Sequence, residues 1–118
     1  MTDTSPTPAV ERVDDRHRYE IRVGGRRAGL TAYRDHGGQR VFFHTEIDGA
    51  YAGRGLASRL IRAALDDARA SGLRIVPVCP FVAAFLSKHD DYEAVTDPVT
   101  PQVLEWLDTE LRRTPGRS

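Results

Sequence analysis

The chain has 118 residues, seventeen basic and seventeen acidic side chains, one cysteine and a mean hydropathy of −0.45. That length suits one domain with its own core, needing neither metal nor disulfide staples. Balanced charge gives no global field towards nucleic acid or a membrane surface, one cysteine cannot close an internal disulfide, and no apolar run suffices for a signal peptide or membrane helix, so the cytoplasm is the expected compartment.

Residues 1–15 hold Thr, Ser, Pro and Asp with little periodic apolar content, which predicts a tail without stable structure. Arg18-Tyr19-Glu20-Ile21-Arg22-Val23 then alternates charged with apolar, the mark of a half-buried strand. Gly24-Gly25 signals a hairpin, residues 27–33 read as the returning strand, and His36-Gly37-Gly38 turns the chain into a third strand over 40–47. These three strands are expected to form an antiparallel meander. A period of two puts Val41, Phe43, Thr45 and Ile47 on one side of the third strand and Phe42, His44 and Glu46 on the other. A histidine and a carboxylate therefore point the same way, either as a solvated or internally satisfied pair or as a base for proton abstraction.

Tyr51-Ala52-Gly53-Arg54-Gly55-Leu56-Ala57-Ser58 turns that strand into the longest helix. Leu56, Leu60, Ile61, Ala64, Leu65 and Ala68 repeat at helical spacing, and Ser71-Gly72 marks the end. Arg59, Arg62, Asp66 and Arg69 are expected to face water, with Arg62 and Asp66 in pairing reach. The first helical turn has N–H groups without intrahelical partners and carries the positive end of the helix dipole, which suits an anion such as a pyrophosphate. Gly53 and Gly55 let a ligand approach the backbone, Arg54 adds a forked cationic donor, and Ser58 and Arg59 stand within reach of the same ligand.

The strand over residues 73–78 is apolar, but Pro77 and Pro80 cannot donate ladder hydrogen bonds, so pairing is expected to fail around Val78 and Cys79. Pro80 suits the first turn of a helix over 81–89, with Val82, Phe85, Leu86 and His89 on one side. Cys79 then occupies the cap position, where a helix dipole favours thiolate over thiol; the other reading is a small core hydrophobe. Asp90-Asp91 stops that helix, and Tyr92 follows. After Pro98 and Pro101, Val103, Leu104, Leu107 and Leu111 give a last helical stripe with Trp106 off its line, and residues 113–118 read as loose. With no cysteine pair, no His-Glu-x-x-His and no Walker Gly-Lys-Ser/Thr, no metal is expected.

The loop resembles the acyl-CoA-binding loop of the GNAT superfamily of N-acetyltransferases, whose pattern is Gln or Arg, two free positions, Gly, one free position, then Gly or Ala. Gly55 and Ala57 match the last two constrained positions, and Ala52 stands where Gln or Arg is expected. Ile75-Val76-Pro77-Val78-Cys79-Pro80-Phe81-Val82 is similar to a branch of very small single-domain GNAT-like proteins with a Cys-Pro-aromatic sequence; His44-Thr45-Glu46-Ile47 and Tyr92 also look like that branch. The resemblance spans residues 19–95.

It implies an α/β GNAT-like fold: an antiparallel strand meander plus a strand-helix-strand crossover with splayed central strands. The single domain would cover 16–112, with its core over 19–95 and an appended helix over 101–112. The implied donor is acetyl-CoA, held by Ile47, Gly53, Arg54, Gly55, Leu56, Ala57, Ser58 and Lys88; the acceptor is an unidentified amine. The implied catalytic residues are Cys79 as acyl acceptor, Glu46 with His44 as base, and Tyr92 as the acid that protonates departing CoA. Direct transfer and a ping-pong path through acetyl-cysteine both remain open. So do a non-catalytic acyl-CoA sensor, a fold-only interaction protein, and a monomeric or homodimeric state; neither nucleic acid nor membrane is an expected partner.

Overall fold

The computed structural model describes residues 7–113. Two glycine pairs fold its first half. Gly24 and Gly25, then Gly37 and Gly38, take positive φ (60°, 81°, 53° and 82°), the conformation that lets a two-residue turn match the twist of its flanking strands. The result is an antiparallel meander of β2 (Arg18–Val23), β3 (Arg26–His36) and β4 (Gln39–Ile47).

A further strand precedes it. β1 (Ala9–Val13) pairs along its whole length with β2, from Ala9 opposite Arg22 to Val13 opposite Arg18. This corrects the expected tail over 1–15 for its residues 9–15. The five residues of β1 carry only two valines, too few for a periodic signal, but an edge strand is held by backbone hydrogen bonds. Val10 packs on the core, and the Arg12 guanidinium reaches the Asp67 carboxylate at 2.8 Å. Residues 1–6 and 114–118 lie outside the described residues.

After β4 the chain crosses through α1 (Leu56–Ala70) to β5 (Arg74–Pro77), parallel to β4, and continues into α2 (Pro80–Lys88), a 3-10 segment (Asp90–Val95) and α3 (Pro101–Arg113). The sheet order is β1-β2-β3-β4-β5. β5 therefore closes the ladder, with a single bridge from Ile75 to Thr96 on its outer side.

All six apolar α1 residues at helical spacing are buried, against Tyr19, Ile21, Tyr33, Phe42 and Ile75 of the sheet; α2 adds Val82 and Phe85. The opposite face carries a smaller cluster in which Val103 and Leu107 of α3 cover Val41 and Val76. In α3 the inward line includes Trp106, stacked on His36 at 4.2 Å between ring centres, while Leu104 is 46% exposed. Positions 103, 106 and 107 share one helical face.

One irregularity matters for the site. Ala32 pairs with His44 but Tyr33 pairs with Phe42, so Phe43 is an extra residue, a β-bulge. The bulge resets the alternation. Phe42 faces α1, Val41 and Phe43 face α3, and beyond the bulge Thr45 and Ile47 return to the α1 side. The expected grouping of Phe42 with His44 and Glu46, and of Val41 and Phe43 with Thr45 and Ile47, is corrected accordingly; a strict period of two cannot register an inserted residue.

Candidate functional site

The β4–β5 ladder ends at Pro77, where the Val78 N–H turns back onto the Val76 carbonyl at 3.1 Å instead of reaching β4. Its last residue pair is Phe42 with Pro77, followed by one bond from the Cys79 N–H to the Phe42 carbonyl at 2.8 Å. β4 runs on for five residues, 43–47, beside no further part of β5. An extended ligand can hydrogen-bond along such an edge.

At the far end of this edge the chain enters the glycine loop. The Asp48 N–H donates to the Ala28 carbonyl at 2.8 Å, and the Asp48 carboxylate accepts from the Ala50 N–H at 3.0 Å, opening a short 3-10 turn (Gly49–Tyr51). Gly53 and Gly55 then take φ of 80° and 71°, in the left-handed region that a side chain disfavours. Gly55 is the N-cap of α1, and no side chain caps the helix. Its first N–H groups are left for water or a ligand. The Arg54 guanidinium lies 5.3 Å from the Tyr51 ring centre. Leu56 is buried and anchors the helix start. Ala57 and Ser58, together with Phe81, Ala84 and Lys88 of α2, line an open groove of about 170 Å³. The structure thus brings Lys88 to the same groove as the first turn of α1.

Cys79 is the N-cap of α2, with Pro80 in the helix's first turn. Its sulfur does not cap the helix. The side chain is buried, with Sγ 3.2 Å from Thr45 Oγ1, which is itself 2.9 Å from Thr31 Oγ1. This chain of two hydroxyls and a thiol escaped the sequence reading. It exists because Thr31 and Thr45 are register partners across β3 and β4, a long-range relation with no local signal.

His44 and Glu46 project from the other side of β4. Their side chains meet at 2.7 Å, Nε2 to Oε2, and both are exposed. The structure brings His44 to Glu46 and Cys79 to Thr45, with the β4 backbone between the two pairs. Gly29 of β3, opposite Ile47, lets the strands close here: a Cβ at that position would lie 2.6 Å from the Glu46 carbonyl oxygen.

Tyr92 is placed elsewhere. Fully buried, its hydroxyl donates to Asp66 and accepts from the Arg62 guanidinium at 3.1 Å. Burial, and then the bond to Asp66, push its pKa up to about 12. Asp66 lies ten residues beyond Leu56, about 15 Å along the helix at 1.5 Å per residue. The hydroxyl therefore ties α1 to the 3-10 segment. Arg62 bonds Asp91 at 2.9 Å rather than Asp66, which instead meets Arg69 at 3.2 Å.

A second tie near the C-terminal end of α1 was also hidden from the sequence. Arg40, only 6% exposed, forks onto Asp35 at 2.8 and 2.9 Å and donates to the Tyr19 hydroxyl at 2.6 Å; that hydroxyl donates to Asp67 at 2.6 Å. Burial opposes the charge on Arg40, yet Asp35 and the flanking tyrosines leave its pKa raised. Among the described residues no group of three His, Cys, Asp or Glu side chains could hold a metal, and no helix is long and apolar enough to cross a membrane.

Residues 18–95 match the family described as GCN5-related N-acetyl-transferase. The chain is 30% identical over 82 residues to Protein NATD1 of Bos taurus, covering 68% of this chain and 73% of that one. The NMR solution structure of a GCN5-like protein from Staphylococcus aureus is similar in fold, with a TM-score of 0.60 at 21% identity, covering 79% of this chain and 91% of the other. With the mixed five-stranded sheet and the uncapped glycine loop already in place, these likenesses identify the chain as a member of the GCN5-related N-acetyltransferase family.

Proposed function

We propose that this protein transfers the acetyl group of acetyl-CoA to a primary amine. The observation that carries this reading is the free stretch of β4 over residues 43–47, which leads from the end of the β5 ladder straight to the uncapped start of α1. The pyrophosphate of the donor would lie on Gly53, Arg54, Gly55, Ala57 and Ser58, with Lys88 across the groove. The pantetheine arm would run past Ile47 along the free edge, which puts the thioester near the point where β4 and β5 part.

The amine would then approach from the face that carries Glu46. An ammonium must first lose a proton, and the exposed Glu46 carboxylate, bonded to His44, is the acceptor on that face. The nitrogen lone pair attacks the thioester carbonyl, the C–N bond forms and the C–S bond breaks. CoA leaves as a thiolate that takes up one proton, and the new amide nitrogen gives one up. Tyr92 plays no part in this account, because its proton is held by Asp66 across the helix. A second reading, transfer through acetyl-Cys79, draws on the Thr45 hydroxyl that hydrogen-bonds the sulfur.

The test is an intact mass spectrum after incubation with acetyl-CoA, recorded under native conditions and after acid denaturation, for wild type, Gly55→Glu and Cys79→Ala. Wild type is expected to hold acetyl-CoA natively, and Gly55→Glu to weaken binding at least tenfold by placing a carboxylate where the pyrophosphate sits. One acetyl group surviving denaturation in wild type but not in Cys79→Ala would select the covalent path. Absence of native binding at millimolar acetyl-CoA would overturn the proposal; binding without CoA release to any amine would leave an acyl-CoA sensor.

A further inference from the structure

We propose that the acceptor amine also carries a carboxylate or phosphate group, seated on an arginine-lined hollow on the open face of β1, β2 and β3. This rests on the acetyl-transfer reading above and adds the class of its second substrate.

Because α3 covers its face of the sheet over β4 and β5, the same face of the first three strands is left to charged residues. There, a hollow of about 590 Å³ is lined by Arg16, Arg18, Arg22, Arg26 and Arg27. At its floor lies Glu20, 3% exposed, paired to Arg18 at 2.8 Å and Arg22 at 2.7 Å, with Arg27 at 3.9 Å. Glu20 thus orients Arg18 and Arg22, with Arg22 also held by Glu11 at 3.2 Å and by the Gly25 carbonyl at 3.3 Å, while Arg27 stands at the limit of ion-pair distance. Each guanidinium has five N–H donors in a planar fork, far more than two carboxylate oxygens can absorb. Arg16 and Arg26 have no acidic partner within ion-pair distance among the described residues. Five arginines against Glu11, Glu20 and Asp48 leave two positive charges in this lining, in a chain whose formal net charge is zero. Oriented guanidinium forks with spare donors match the planar geometry of carboxylate and phosphate.

Register connects this hollow to the candidate base. Glu20 pairs with Leu30, and Leu30 pairs with Glu46, so the two carboxylates share one row and one face, two strand spacings or about 9.6 Å apart. A smaller hollow of about 150 Å³, lined by Gly29, Leu30 and Glu46, adjoins the larger one through Arg27 and Asp48, which line both. An amine at Glu46 and an anionic group among the arginines would lie on one molecule, roughly 10 Å apart by that spacing.

The experiment follows CoA release from acetyl-CoA with 6-aminohexyl phosphate, 6-aminohexanoate and hexylamine. Alongside it, calorimetry measures binding of acetyl-CoA and of 6-aminohexyl phosphate separately. The expected result is kcat/KM at least tenfold higher for an anionic amine than for hexylamine, a ratio that collapses towards one in Arg26→Gln/Arg27→Gln and at high ionic strength. These two arginines are exposed hairpin residues, so the variant gives up only the 3.9 Å contact of Arg27 and retains the closer Glu20 pairs with Arg18 and Arg22. The ratio of phosphate to carboxylate turnover tells which anion is preferred. Equal turnover of all three amines, or an anion preference indifferent to the arginine substitutions, would overturn the inference while leaving acetyl transfer intact. Failure of acetyl-CoA binding, with 6-aminohexyl phosphate still bound through the arginines, would instead sink the acetyl-transfer reading and keep the hollow as an anion site.

Discussion

Gly29→Ala tests whether close strand contact builds the site. Gly29 faces Ile47 across β3 and β4, and its φ lies outside the left-handed region, so crowding alone decides the outcome. An added Cβ would lie 2.6 Å from both the Glu46 carbonyl oxygen and Ile47 Cδ1, and 3.4 Å from Ile21 Cγ2. Against the ~3.5 Å of an ordinary contact, the first two are short by roughly 1 Å. Ile47 can rotate its terminal methyl; the carbonyl belongs to the backbone and moves only with β4. Overpacking of this kind costs about 1–3 kcal/mol, and replacing a strand glycine by alanine returns about 0.5–1 kcal/mol of backbone entropy. With a backbone atom among the clashes the cost falls in the upper half of that range, so the net is about 1–2.5 kcal/mol of lost stability, or roughly 4–10 °C in Tm for a domain of this size. Thermal unfolding followed by circular dichroism reads the loss, and amide chemical shifts read the displacement, which should be largest at Glu46 and Ile47. Gly25→Ala is the control: with φ at 81° and no atom within 4 Å, it should cost about 1–2 kcal/mol through its dihedral alone and leave those two amides in place. A Gly29→Ala protein melting within 1 °C of wild type, with Glu46 and Ile47 unshifted, would refute the reasoning.

Glu20 predicts a pH dependence. Burial would raise its carboxyl, but the Arg18 and Arg22 guanidiniums outweigh it and hold the pKa below the usual range. A depressed folded pKa contributes stability above the unfolded value of about 4.3, and loses it as pH falls below that value through the folded one. Glu20→Gln should therefore lower the urea midpoint at pH 7, with the gap to wild type starting to close only as pH falls below about 4.3 and vanishing below the depressed folded pKa; a gap that stays constant down through that range would remove the carboxylate from the explanation. Tyr92→Phe deletes the hydroxyl shared by Asp66 and Arg62 and should cost about 1 kcal/mol of stability. Its effect on the rate of CoA release should be small, and a hundredfold fall in kcat would reinstate Tyr92 as the acid that protonates CoA.

Much of the architecture was legible because it is written in local patterns. The α1 stripe from Leu56 to Ala68, the turns at Gly24-Gly25 and Gly37-Gly38, and Pro80 opening a helix behind Cys79 each follow from spacing or backbone permission within a few residues. β4 and β5 part next to the expected prolines, but the nitrogen of Pro77 is on the outer side of β5, where Ile75 bonds Asp97, so it is the turn of the Val78 N–H onto Val76 that ends the pairing. Local pattern failed where neighbours in space made the decision. β1 carries too little apolar periodicity to announce itself, and its pairing energy comes from β2. The bulge at Phe43 is set by how β3 and β4 register, and it moves Thr45 to the side of Cys79 while His44 and Glu46 project from the other.

By itself, then, the sequence determined the mixed α/β class, the order of the meander and crossover, and the uncapped glycine loop at the head of α1. All three rest on short-range forces: side-chain periodicity and the freedom of glycine. Only the tertiary structure decided which side chains share a face. It joined Thr31, Thr45 and Cys79, bound the Tyr92 hydroxyl to Asp66, and set Glu20 and its arginines in one row with Glu46. Register and packing depend on contacts between residues far apart in the chain, and a one-residue slip exchanges the two faces of a strand.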